Sequence, residues 1–321
     1  MNRYIEYLKK IQSKLRHLSS AENINICWLY VDYIMCLVKY GCLIDQYTKG
    51  YFYTWSRCIR KRAFTQRRLD KIISIANKTS YIHILQNKNE FNSFFSEFVE
   101  REWLYSKDMN RDSFKRLFNS NDFLFVKPLD SQEGEGIRKI KTSEVDVDAL
   151  YNELKMGNYI IESIITQHKK MFLGNKSVNT VRVLTVLDNE GHAHIVRAGL
   201  RAGVGGAIVD NFSAGGVLYE VDPVTGLVDH KGIQGKNRDV IYHPGTDICM
   251  LGFQIPYWDK AIQAVTKAAE KIPQCRFIGW DVAFTNNGVE LIEGNHNPGL
   301  FTLESIGTPG AYAEVMNILK G

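Results

Sequence analysis

The sequence predicts an α+β protein with a helical N-terminal unit, and two kinds of periodicity carry that expectation. Apolar residues in the first 75 positions recur at i, i+3 and i+4, as in Tyr4, Ile5, Leu8, Ile11 and Leu15. From Phe123 onward short apolar runs alternate at period two between Gly, Asn and Asp turns. The clearest is Phe277 to Leu300 (FIGWDVAFTNNGVELIEGNHNPGL), which reads as a β-hairpin.

Along the chain, the apolar region Ile24 to Tyr53 continues the helical unit, and Lys88 to Tyr105 reads as a further helix with Phe91, Phe94, Phe95 and Phe98 on one side. NDFLFVKPLD is a strand that delivers Lys127 into SQEGEGIRKIK. There Gly134 and Gly136 make a pliable loop whose N–H groups suit phosphate, although a plain strand-to-strand turn has the same pattern. NYIIESII reads as a strand, and two more flank a turn at Gly191. On the second of these, Arg197, Gly199 and Arg201 share a face that Arg182 on its neighbour joins, for anion binding or for surface ion pairs. DNFSAGG is a loop, LYEVDPVTGLV a hairpin, and DKAIQAVTKAAEKI a helix with Ile262, Val265, Ala269 and Ile272 inward.

Register decides what the last hairpin can do. With a three-residue loop closed by Gly288, Thr285 pairs with Val289 and Asp281 falls opposite Glu293. Asn295, Ala283, Val289 and Leu291 then share their face. Carboxylates roughly 5 Å apart repel by about 3 kcal/mol at an effective dielectric near 20, so the pair calls for a cation or a shared proton. Two carboxylates and an amide oxygen suit Mg²⁺, which borrows its remaining ligands from water and phosphates. A two-residue Asn-Gly loop would instead separate Asp281 from Glu293 and leave a solvated acidic hairpin.

Composition narrows the classes. The 321 residues are 45% hydrophobic, enough for a substantial core, and the six cysteines show no Cys-x-x-Cys spacing, which fits a reducing cytoplasm. No signal core, membrane span, zinc set, Gly-x-Ser-x-Gly elbow or complete P-loop is present. Residues 1–80 carry fifteen Lys and Arg against five Asp and Glu, so the net +5 is concentrated there. RCIRKRAFTQRR is either a solvated helix face or a dock for an anionic glycan, a lipid-linked carrier or the inner membrane face. No nucleic-acid motif accompanies it.

The order strand lysine, glycine loop, NYIIESII, SVNTVR, DNFSAGG and Asp…Glu-x-Asn-x-Asn-Pro-Gly resembles the ATP-grasp superfamily. FVKP, SVNTVRVLTV, DNFSAGG, HPGTD and GWDVAFT…LIEGNHNPGL are similar in particular to the sugar-transfer-associated ATP-grasp family of bacterial exopolysaccharide loci, from about Arg57 to the C-terminus. The resemblance implies two α+β subdomains gripping ATP, organised as a helical region over 1–80, a nucleotide-covering subdomain over 81–170 and a metal-bearing subdomain over 171–321. It implies that Lys127 and Lys88 contact phosphates, that Ser131, Gly134 and Gly136 belong to a phosphate-covering loop, and that Glu162, Ser163, Ile164 and Ile165 form the adenine hinge. Asp281, Glu293 and Asn295 would hold Mg²⁺, while Arg182, Arg201 and Asn211 would face the γ-phosphate and acceptor. The departure is SQEGEGI, which is poorer in glycine and more acidic than many such loops. The activity implied is carboxylate–amine ligation between an amino acid and a uronic acid or amino sugar. The alternatives are a sugar kinase on the same fold and a silent nucleotide-binding partner of a glycosyltransferase.

Overall fold

The computed structural model describes residues 2–50, 52–129, 136–175, 177–205, 215–235, 237–299 and 310–321. Helix α1 (Asn2–Glu22) buries Ile11, Leu15 and Leu18 but leaves Tyr4, Ile5 and Leu8 exposed, so only the second half of its apolar stripe is packed. It turns into α2 (Ile26–Tyr40), where the Asn25 side chain accepts from the N–H groups of Cys27 and Trp28. Gly41 ends α2 at φ 70°, its N–H reaching back to Cys36 and Leu37 carbonyls. A Cβ there would lie 2.3 Å from the Arg67 Cβ. Gly41→Ala therefore meets both left-handed strain and a clash, and should cost at least about 1–2 kcal/mol, read as a lower thermal midpoint.

Helices α3 (Ile44–Lys49) and α4 (Arg57–Arg62) complete this unit around a buried ion pair. Arg60 Nη1 lies 2.6 Å from Asp32 Oδ1, Tyr47 donates to Asp32 Oδ2 at 2.7 Å, and Arg60 also donates to the Phe52 and Tyr53 carbonyls. The basic run is thus divided by role. Arg60 is internal and Arg68 lies over the Tyr40 and Tyr312 rings, while Arg57, Lys61, Arg62 and Arg67 are exposed.

Helix α5 (Gln66–Ala76) sets Leu69, Ile72 and Ala76 against the larger sheet, whereas α6 (Thr79–Gln86) and α7 (Lys88–Phe94) lay Leu85 and Phe91 on its other side. The expected helix to Tyr105 stops at Phe94. After one 3₁₀ turn, Trp103–Tyr105 is strand β1, because its β-prone residues gain a full antiparallel pairing that a lone helical turn would forgo.

Next come α8 (Arg111–Asn119), β2 (Phe123–Pro128), β3 (Arg138–Lys141), α9 (Val147–Met156) and β4 (Tyr159–Ser163). They make a four-stranded antiparallel sheet, ordered β1-β4-β2-β3, under a core of Phe114, Leu117, Leu124, Val126, Leu150 and Ile161.

The remaining strands are β5 (Thr180–Leu187), β6 (Ala193–Ala202), β7 (Val217–Val221), β8 (Gly232–Gln234), β9 (Asn237–Val240), β10 (Phe277–Phe284) and β11 (Val289–Asn295). They form a seven-stranded sheet ordered β11-β10-β5-β6-β7-β8-β9. Helix α10 (Trp258–Lys271) covers one face, and α5 with the final helix α11 (Ala311–Lys320) covers part of the other. Strand β10 was expected half-buried, yet all eight of its residues are buried, since helices, arginines and Pro298 occupy both of its faces.

The hairpin reaches the expected Asp281–Glu293 pairing by another route. At the tip Phe284 pairs with Val289 and Ala283 with Glu290, one residue away from the three-residue-loop register. Thr285 N–H donates to the Gly288 carbonyl at 2.9 Å. An irregularity then leaves Ile292 as the extra residue, so Val282 faces Leu291 but Asp281 faces Glu293 and Gly279 faces Asn295. Val289 and Leu291 consequently pack in the core beside Trp280 and Val282 and do not share the carboxylate face.

Candidate active site

On the larger sheet, three neighbouring strands bring their charges together. Pairing sets Arg182 of β5 beside Asp281 of β10, and Arg201 enters from β6. Arg182 donates through Nε and Nη2 to the two Asp281 oxygens at 2.6 and 2.7 Å, and Arg201 Nη1 donates to Oδ2 at 2.7 Å. Burial pushes the Asp281 carboxyl up, but the two guanidiniums outweigh it and hold Asp281 well below the usual carboxylate range. The expected third arginine is elsewhere: Arg197 lies in the middle of β6 and pairs with Glu314 of α11 at 2.9 Å.

Glu293 completes this half of the site, 3.6 Å from Arg182 Nη2. It lies deep among protein atoms, yet its side chain stays 44% open to water, as at the floor of a cleft. Enclosure and the adjacent Asp281, with which it shares a hydrogen bond, raise its pKa. The Asn295 amide donates to Glu293 Oε1 at 3.1 Å. Among the described residues no three His, Cys, Asp or Glu side chains gather as a metal cluster. Two carboxylates and an amide at a water-accessible floor fit a hard divalent cation that takes its other ligands from water and phosphate.

The smaller sheet supplies the opposite half. Lys127 of β2 forms an ion pair with Glu162 of β4, and Arg101 Nε lies 3.1 Å from the other Glu162 oxygen. Asn92 donates to Glu162 at 3.2 Å. Burial raises the Glu162 carboxyl, but Arg101 and Lys127 overcome that and hold it far below its ordinary value. Lys88, at the first turn of α7, feels Glu293, Lys127 and Glu162 together and is lowered chiefly by desolvation, so it stands where the two halves meet. Gly136 has φ 73° and sits against Pro128 after the loop. Ser131, Gly134 and Asn211 lie outside the described residues.

The depressed Glu162 has a consequence for acid stability. A carboxylate whose folded pKa lies below its unfolded value of about 4.3 stabilises the fold above that value and loses this contribution as pH falls toward the folded pKa. The denaturant midpoint should therefore drop below about pH 5. Glu162→Gln should flatten that drop while lowering stability at neutral pH; an unchanged pH profile would remove Glu162 as its source.

At Ser163 the β1–β4 ladder ends in a side-chain contact. Ser163 N–H donates to the Glu102 carbonyl and Ser163 Oγ accepts from Glu102 N–H. Ile164 and Ile165 follow β4 without belonging to a strand. A cavity of about 560 Å³ adjoins this segment, bounded by Ser163 to Thr166, Glu102, Asn121 and the hairpin tip; Lys127, Asp281 and Glu293 do not line it.

Arg101 is the residue that pattern reading missed. Besides Glu162 it meets Glu290 at 3.0 Å, the Leu291 carbonyl at 3.0 Å, the Ile292 carbonyl at 3.4 Å and Asn92 Oδ1 at 3.2 Å. It clamps the irregular stretch of β11 to strand β4. Its only sequence signal was a lone arginine between Glu100 and Glu102 in an aromatic-rich stretch.

Compared with known proteins, residues 67–320 match the family described as sugar-transfer associated ATP-grasp. A comparison with curated proteins finds no match. Among solved structures, the chain is similar to the ATP-grasp ligase PsnB complexed with minimal precursor, Mg and ADP at 12% identity and TM-score 0.44, covering 77% of this chain and 62% of that one. It is also similar to an L-amino acid ligase from Bacillus licheniformis at 13% identity and TM-score 0.42, over 74% of this chain and 48% of that one. An N5-carboxyaminoimidazole ribonucleotide synthetase in its ADP complex aligns at 12% identity and TM-score 0.45, over 79% and 57%. The chain spans about three fifths of the length of the PsnB chains it matches.

Proposed function

Because the chain belongs to the sugar-transfer-associated ATP-grasp family, we propose that the cleft between its two sheets binds ATP and joins a carboxylate to an amine. The observation that carries this reading is the meeting of Lys88, Lys127 and Glu162 from one side with Glu293, Asp281, Arg182 and Arg201 from the other. In this reading residues 1–80 are a helical extension, 81–170 the part that covers the nucleotide, and 171–321 the part that carries the metal ligands.

Lys127 and Lys88 neutralise phosphate oxygens, with Ser131, Gly134 and Gly136 covering them. Glu162 fixes the Lys127 ammonium while the Ile164 and Ile165 peptides, following Ser163, read the adenine. Asp281, Glu293 and Asn295 hold Mg²⁺, which when bound offsets charge on the phosphates. Arg182, Arg201 and Asn211 stabilise the γ-phosphate and align the acceptor. A substrate carboxylate oxygen attacks the γ-phosphorus and ADP leaves; an amine nitrogen then displaces orthophosphate from the acyl carbon, forming the amide and releasing a proton. Such chemistry asks the protein for alignment and charge compensation, with no protein nucleophile. The substrate class we assign is an amino acid with a uronic acid or amino sugar of an exopolysaccharide or capsule precursor.

Incubation with ATP and Mg²⁺ against a matrix of uronic acids, amino sugars and amino acids tests this reading. Equal ADP and orthophosphate, with a product one water lighter than its summed substrates, is the expected result. ADP without orthophosphate, and a product heavier by a phosphoryl group, would replace ligation by a kinase reaction.

A further inference from the structure

Helix α2 presents an apolar face to solvent. Trp28 is 47% exposed, Val31 67%, Ile34 55%, Met35 39% and Val38 69%. At about 100° per residue these five fall within an arc of roughly 120°, with Lys39 at its border. The face cannot be hidden by rolling the helix. Leu29, Tyr33, Cys36 and Tyr40 occupy the inner side, and the Asp32–Arg60 pair fixes the rotation.

The rim of the face is basic. Lys39 is exposed, and exposed Arg67 donates to the Val38 carbonyl at 3.3 Å, at the C-terminal end of the stripe. The first turns of α1 add exposed Tyr4, Ile5, Leu8 and Lys9 to the same N-terminal unit. That unit lies within the first 80 residues, where fifteen Lys and Arg stand against five Asp and Glu.

We propose that the outer face of α2 docks on an anionic lipid surface, lying parallel to it. An apolar helical stripe bordered by cations is the pattern of an interfacial helix, and negative headgroups complement the +10 of residues 1–80. Crossing is ruled out by length, because 15 residues span about 22 Å against a hydrocarbon core of about 30 Å. A second copy of the chain is a poorer occupant. Two units of like charge repel, and a five-residue stripe falls well short of the roughly 20–30 residues a side of a stable interface. The proposal does not depend on the ligase reading; a surface-bound enzyme would meet lipid-linked acceptors there.

The test is co-sedimentation of the full chain with phosphatidylglycerol vesicles and with phosphatidylcholine vesicles. Expected is binding at least about tenfold stronger to phosphatidylglycerol, weakened by salt, and lost in Val31→Asp/Val38→Asp with an unchanged melting temperature. If that variant folds poorly, Val31→Ser/Val38→Ser gives the same readout at lower risk. Phosphatidylglycerol vesicles that leave the wild type in the supernatant would overturn the proposal, as would equal binding by a folded variant. A wild-type dimer dissociated by the same substitutions would assign the face to a second copy and overturn it too.

Discussion

Arg101→Met should lower the free energy of unfolding by about 3–5 kcal/mol, the cost typical of breaking a buried ion pair from one side. Arg101 is buried between two buried carboxylates, Glu162 and Glu290, and also donates to two β11 carbonyls. Methionine keeps an unbranched apolar stem but leaves both acids without their shared cation. The double variant Arg101→Met/Glu290→Gln should recover part of the loss by removing one stranded charge. Denaturant unfolding of the two variants checks this. A single variant within about 0.5 kcal/mol of wild type would mean that Lys127 and the surrounding amides suffice without the clamp.

Asp281→Asn should reduce ATP turnover on the order of 10³-fold, because it removes one proposed metal ligand and also the anchor that holds Arg182 and Arg201 in line. It should also cost about 1–3 kcal/mol of stability, since both guanidiniums lose a charged acceptor. Glu293→Gln separates the two roles. Glu293 contacts Arg182 only at 3.6 Å and is raised by enclosure and by Asp281, so neutralising it should impair turnover while leaving stability unchanged or slightly higher. Equal destabilisation by both variants would mean that Glu293 belongs to the structural ion-pair network and not to a ligand site.

These contrasts mark what the sequence made legible. Period-two alternation and the Asn-Asn-Gly turn were sufficient to find the β10–β11 hairpin, and the Asp281–Glu293 pairing followed from a register argument. The register at the tip was nonetheless wrong by one, and the irregularity at Ile292 restored it. No local pattern announces such an extra residue, because it answers to distant partners: Arg101 takes the carbonyls of Leu291 and Ile292 from 190 and 191 positions away. The same non-local pairing converted Trp103–Tyr105 from an expected helix into the edge strand β1. Arg60 shows the limit of charge counting. Within RCIRKRAFTQRR it is indistinguishable from its neighbours, and only the buried Asp32 on α2 separates it from the solvated arginines. The outward face of α2 was equally hidden, since a continuous apolar run does not say which side will find a partner.

A nucleotide site closed by two sheets and a divalent cation should take up ADP, which calorimetric titration of ADP into the full chain measures. Expected is saturable binding with Mg²⁺ that weakens by at least about tenfold when the metal is chelated, and similarly in Asp281→Asn and Lys127→Met. No binding under any condition, or an affinity indifferent to both the metal and these side chains, would contradict it.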